Sequence, residues 1–268
     1  MTTASVDPNL AYDFNHSPFL VAWEMTLACD LACLHCRAAA NTRCAPGELS
    51  TQEGRALIDE LATYTPKPVL LMTGGDPLKR SDLMDLIAYA RSRGLIVGLT
   101  PATTPLLTRE CIAEMKLAGL SRMAISLDGA SATTHDLFRG VHGSYELGVA
   151  ALAYAHEIGL STQVNTTVTK DTRPELPELA AQVERYGVDL WSLFFLVPVG
   201  RGTGLKQLSA PEYEQVLEWA YIASQERRFH IKTTEAHHFR RIVLDQRKKN
   251  GMDDRSLKKR SQGERGTP

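Results

Sequence analysis

Along this chain, short apolar runs alternate with longer stretches whose apolar residues recur three and four positions apart. The short runs are "FLVAWEMT" (19–26), "PVLLMT" (68–73), "LIVGLT" (95–100), "RMAISLD" (122–128), "STQVNTTVT" (161–169) and "DLWSLFFLVP" (189–198). Each is too short for a stable helix and suits a strand. "PVLLMT" carries apolar residues at consecutive positions, as a strand buried on both faces does. Between them, 50–64, 80–94, 108–119, 144–159 and 174–187 have helical spacing, several closed by a glycine; Ser50 or Thr51 is the candidate cap of the first.

Six strands separated by helices predict an α/β protein with a parallel sheet and right-handed crossovers. The pattern fits an open doubly wound sheet and an incomplete (β/α) barrel equally well. In both, ligands lie at the C-terminal ends of the strands. A further helix is expected over 210–227. Beyond it "RRIVLDQRKKNGMDDRSLKKRSQGERGTP" is crowded with Arg and Lys, with no helical stripe past Leu244. The expected organisation is an N-terminal extension (1–17), a core (18–230) and a basic, disordered tail (231–268).

Composition narrows the function classes. Of 268 residues, 43% are hydrophobic and 23% charged, with a formal net charge of −1, so a dedicated nucleic-acid or anionic-membrane binder is not indicated. No apolar run approaches the roughly 18 residues of a membrane span, and the N-terminus lacks a secretory pattern. The expected location is the cytoplasm.

There are five cysteines, a poor disulfide framework. Three of them, Cys29, Cys33 and Cys36, stand at C-x3-C-x2-C in the loop after the first strand. Clustered thiolates select zinc, copper(I) or iron–sulfur. Structural zinc normally wants four ligands. Cys44 could be a fourth, and His35 would have to fold back on its own loop. A [4Fe–4S] cluster explains three, because one iron then remains open to a small molecule. Cys111, in a helix with Ile112 and Met115, reads as a buried inert thiol.

"CDLACLHC" resembles the signature of the radical S-adenosylmethionine (radical SAM) enzymes, and later segments match that family in order over roughly residues 19–202. "MTGGDPL" (72–78) resembles its Gly-Gly-Glu-Pro segment, with Asp76 in place of Glu. "ISLDG" (125–129), Asn165 in "QVNTTVT" and Pro198 in "FLVPVGRG" resemble segments around the SAM ribose, carboxylate and adenine.

The resemblance implies a partial (β/α)6 TIM-like barrel. Cys29, Cys33 and Cys36 would hold a [4Fe–4S] cluster whose open iron binds SAM, giving a 5′-deoxyadenosyl radical for hydrogen abstraction. His35, Gly74, Gly75, Asp76, Pro77, Ser126, Asp128, Asn165 and Pro198 become the candidate SAM-binding residues. His35 would stack on the adenine, and Gly74 and Gly75 would let backbone approach the ligand. Arg139 and His142 are candidates for carboxylate or substrate contact, whereas His237 and His238 read as surface residues.

The nearest subgroup is the SPASM type, of peptide and cofactor maturation and haem-derivative synthesis. The implied partners are SAM, a substrate that is a peptide, cofactor precursor or tetrapyrrole, and an electron donor such as flavodoxin or ferredoxin. Such enzymes carry further cysteines in a C-terminal extension, and no cysteine follows Cys111. The chain is therefore expected either to work without auxiliary clusters or to be an altered or truncated relative. The alternatives are a non-catalytic iron–sulfur or zinc protein and an inactive fragment.

Overall fold

The computed structural model describes residues 13–249. Strands β1 (Leu20–Glu24), β2 (Val69–Thr73), β3 (Ile96–Leu99), β4 (Arg122–Ser126), β5 (Ser161–Val168), β6 (Leu190–Phe195) and β7 (His230–Thr234) alternate with helices. The helices are α1 (Thr51–Leu61), α2 (Leu83–Ser92), α3 (Arg109–Leu117), α4 (Ala132–Arg139), α5 (Ser144–Glu157), α6 (Leu176–Arg185), α7 (Ala210–Glu226) and α8 (Phe239–Lys249).

All strands are parallel and lie side by side in chain order from β1 to β7. That order settles what the sequence pattern left open. A doubly wound sheet reverses direction at a switch point, whereas sequential right-handed crossovers keep every helix on one side and curl the sheet. β1 and β7 are the two ends of the order and are not paired, so the result is a partial barrel.

Strand alternation divides the sheet faces. Leu70, Met72, Val97, Leu99, Met123, Ile125, Val164, Trp191 and Leu193 are fully buried in the helix-covered core. The alternate positions are mostly polar, and Ser126, Asn165, Ser192 and Lys232 lie in one row across β4 to β7. The open face also corrects the reading of the second strand as buried on both sides. In β2, Leu70 and Met72 are buried but Val69 and Leu71 only half so. In the edge strand β1, only Trp23 is buried.

Local signals place the helices. Ser50 is the cap of α1: the Glu53 N–H donates to Ser50 Oγ at 3.3 Å and Ser50 N–H to Glu53 Oε2 at 2.8 Å. Helix α4 fills the stretch between β4 and α5, for which the apolar spacing predicts no element. Its carboxylate Asp136 accepts from Gly143 N–H, Tyr145 N–H and Ser144 Oγ, which fixes the corner from α4 into α5.

β7 and α8 occupy residues assigned to the tail, so the folded part continues past 231. β7 has little apolar content to announce it and owes its place to pairing with β6. α8 packs Phe239, Ile242 and Val243 onto the core, while Arg247, Lys248 and Lys249 fill its last turn, where cations favour the helix dipole. The rest of the expected tail, 250–268, and most of the N-terminal extension lie outside the described residues. Among those described, no helix is long and apolar enough to cross a membrane.

Candidate cofactor site at the cysteine loop

The loop after β1 is closed on itself. Ala28 and Asn41 form a parallel bridge, with Cys29 N–H donating to Asn41 O at 2.6 Å. Glu48 Oε1 accepts from Thr26 Oγ1, Leu27 N–H and Ala45 N–H at 2.9, 2.9 and 2.7 Å. Burial alone would raise the Glu48 carboxyl, but these donors outweigh it and hold it below the ordinary range.

Each of the three clustered sulfurs receives one N–H. Leu31 N–H donates to Cys29 Sγ at 3.4 Å, Ala40 N–H to Cys36 Sγ at 3.4 Å, and Arg139 Nη1 to Cys33 Sγ at 3.6 Å. Donors of this kind stabilise sulfur ligands and tune clusters. Cys44 is exposed and lies against Glu48 and the Thr26 hydroxyl, the latter 3.9 Å from its sulfur. Cys111, expected to be buried, is half-buried, and that burial pushes its thiol up to about 11. Burial likewise pushes Cys29 up to about 11, so without a metal its proton stays on.

Gly74 and Gly75 approach this loop with their backbone. Gly75 N–H donates to Thr26 O at 2.6 Å and Asp76 N–H to Ala28 O at 2.7 Å. A Cβ on Gly74, whose φ is 136°, would lie 2.4 Å from Thr26 O, and one on Gly75 2.4 Å from Ala28 O. The closeness that the sequence assigns to a ligand is thus already used to dock the cysteine loop. Asp76 is fully buried and accepts from Leu78 N–H, Ala102 N–H and Thr104 Oγ1, tying β2 to the segment after β3. Burial raises its carboxyl above the usual range. Pro77 opens the 3-10 turn that Asp76 caps.

From the end of β4, Asp128 Oδ1 accepts from Thr167 N–H at 2.6 Å while Oδ2 pairs with Arg139 Nη2. Burial would raise the Asp128 carboxyl, yet the Arg139 guanidinium beside it holds it below the ordinary range. Arg139, the last residue of α4, therefore links Asp128 to the Cys33 sulfur. Asp128 N–H donates to His135 Nδ1 at 3.1 Å, and burial lowers that imidazole to about 4. His35 stacks on Phe138, centroids 4.8 Å apart at 18°, so its ring has a protein partner where the sequence expects adenine.

Residues beyond β6 close the other side, chief among them one that no sequence motif singles out. Arg201 Nε donates to Cys33 O at 2.8 Å and Nη1 to Ala40 O at 3.0 Å. Its only sequence signal was "GRG" beside Pro198. Pro198 itself is exposed just past β6, and Ser126 and Asn165 neighbour each other on the open face, where Gln163 Nε2 donates to Asn165 Oδ1 at 2.6 Å. His142, His237 and His238 are exposed and meet none of these residues; the His238 ring lies against Tyr213.

Three clustered thiolates, each supplied with an N–H donor, suit an iron–sulfur cluster that gives each thiolate its own iron. Around the loop, His35 Nδ1, Arg139 Nε and Arg201 Nη2 are buried without partners in the protein. Two unsatisfied guanidinium N–H groups suit an anionic occupant such as a thiolate cluster or a ligand carboxylate.

Residues 23–193 match the sequence model of the Radical SAM superfamily. The chain belongs to that superfamily. Radical SAM enzymes work with a [4Fe–4S] cluster and SAM. Over 235 residues the chain is 43% identical to the AdoMet-dependent heme synthase of Nitratidesulfovibrio vulgaris, covering 87% of this chain and 64% of that protein. It is 35% identical to the Fe-coproporphyrin III synthase of Methanosarcina barkeri, covering 80% of this chain and 53% of that one. This radical SAM chain thus spans less than two thirds of these curated relatives. The Streptococcus suis SuiB structure bound to S-adenosylmethionine shares the fold, with a TM-score of 0.70 and 16% identity over 84% of this chain and 52% of SuiB.

Proposed function

We propose that Cys29, Cys33 and Cys36 hold a [4Fe–4S] cluster with one open iron, and that the chain is the SAM-binding core of an enzyme acting on a haem-type tetrapyrrole. The observation that carries the cofactor reading is the supply of one N–H donor to each of these three sulfurs. Identity of 43% over 87% of the chain to a heme synthase supports the substrate class.

When bound, the cluster supplies one electron to SAM and with it a hydrogen-abstracting radical. The protein's part is orientation. Asp76 and Asp128 have their carboxylates engaged, so they act by fixing the ends of β2 and β4. Ser126 and Asn165 line the open face below the loop and suit SAM hydroxyls. Gly74, Gly75, Pro77 and Pro198 contribute backbone at strand ends, and His35 shapes the loop's apolar wall. Spare N–H groups on Arg139 and Arg201 suit anionic groups. The row Ser126, Asn165 and Lys232, with Ser192 buried between them, gives a polar floor on which a carboxylate-bearing substrate can rest.

The test is anaerobic reconstitution, reduction by dithionite or by a flavodoxin, and quantification of 5′-deoxyadenosine from SAM. It is paired with a Soret-band titration using Fe-coproporphyrin III. Release of 5′-deoxyadenosine and saturable porphyrin binding are expected. Absence of SAM cleavage overturns the cofactor reading; cleavage without porphyrin binding overturns the substrate class and favours a peptide.

A further inference from the structure

After β6, Val199 leads into a 3-10 turn over Gly200–Gly204 that lies against the cysteine loop. Three contacts join them. Arg201 Nε reaches Cys33 O, 168 residues away in sequence, and Nη1 reaches Ala40 O, 161 residues away. Arg201 N–H donates to Cys36 O at 3.1 Å. The approach is so close that a Cβ on Gly200, at φ 56°, would lie 2.5 Å from Arg37 O and 2.6 Å from Cys36 O. One residue thus grips the loop at its second cysteine, at its third, and at its exit.

Among the described residues, no carboxylate pairs with Arg201, and its Nη2 is buried without an acceptor. A guanidinium half-withdrawn from water wants a counter-charge, and a thiolate cluster held by the loop it grips would supply one.

We propose that Arg201 is a positioning residue for the cluster: it holds the cysteine loop in ligating shape before iron arrives and supplies the positive charge that faces the loaded site. The second half rests on the cluster reading above; the first does not. Charge-assisted bonds to carbonyls are strong enough that losing two should loosen the loop on the order of tenfold or more. Removing a cation beside a cluster makes the added electron less welcome, so the reduction potential should fall.

The variants are Arg201→Met, which keeps the side chain's length without its donors, and Arg201→Lys, which keeps the charge but not the fork. In the metal-free chain, amide exchange at Leu34, Cys36 and Ala39 should quicken about tenfold in Arg201→Met while β4 and β5 amides stay protected. In the reconstituted chain, iron should pass to a ferrous chelator about tenfold faster and the potential should shift negative. Arg201→Lys should restore the potential but only part of the loop protection.

Unchanged loop exchange and iron release in Arg201→Met overturn the positioning role. An unchanged potential in a variant that loses iron faster overturns the charge role. If Arg201→Met loses sheet protection as well, Arg201→Lys decides: wild-type loop exchange there contradicts the need for a two-pronged donor. The exchange arm needs no metal, so it distinguishes failure of this inference from failure of the cluster reading.

Discussion

Arg139 and Cys33, 106 residues apart in sequence, meet through a hydrogen bond of 3.6 Å from Nη1 to the cysteine sulfur. The other arm of the same guanidinium holds Asp128. The end of β4 and the cysteine loop are therefore coupled through one buried cation.

Breaking that coupling leaves a buried carboxylate alone. Arg139→Met should cost about 3–5 kcal/mol of stability, as loss of one partner of a buried ion pair typically does. Adding Asp128→Asn should recover part of the loss, because the orphaned charge is gone. Urea unfolding of the two single variants and the double variant checks this. Additive losses would show that the pair does not interact.

Gly75 should tolerate no side chain. The Cβ of Gly75→Ala would fall 2.4 Å from Ala28 O, forcing the cysteine loop off the end of β2, whereas that of Gly204→Ala meets nothing within 4 Å. Iron retained after reconstitution should drop severalfold in Gly75→Ala and stay unchanged in Gly204→Ala. Equal retention in both would mean the docking contact is dispensable.

Acid should weaken the fold through His135. Its imidazole is fully buried and titrates near 4 against an ordinary 6.5. The lowered folded value means the unfolded chain takes up the proton first. The neutral ring's contribution is thus complete above about 6.5 and falls as pH drops towards 4, by about 3 kcal/mol over that window. His135→Asn, whose side-chain oxygen can still accept from Asp128 N–H, should flatten this part of the stability–pH curve. An unaltered slope would assign the acid sensitivity elsewhere.

The three loop cysteines should separate cleanly from the other two. Serine at Cys29, Cys33 or Cys36 should abolish retention of about four irons per chain, while Cys44→Ser and Cys111→Ser should keep it. Loss in Cys44→Ser would make Cys44 a ligand and close the open iron.

Much of this was legible in the sequence for physical reasons. Most of the six strands are legible because their core-facing residues are apolar (β5 alternates Thr162 and Thr166 with Val164 and Val168), and the cysteine spacing marks a thiolate site. β7 was silent because pairing with β6, not apolar content, holds "HIKTT" in place. α8 was obscured by the basic residues of its last turn. The glycines after β2 were recognised, but their immediate neighbour is the cysteine loop's backbone, a contact between segments distant in sequence. Arg201 is silent in the sequence for the same reason: its bonds end on carbonyls, which no residue pattern advertises.

The central claim is that the three-cysteine loop holds a cluster with one iron left for SAM. The most direct measurement is the electron paramagnetic resonance spectrum of the reduced, reconstituted chain before and after SAM is added. A [4Fe–4S] signal whose g-values move on SAM addition is predicted. A signal indifferent to SAM, or a chain that takes up zinc and gives no cluster signal, would contradict it.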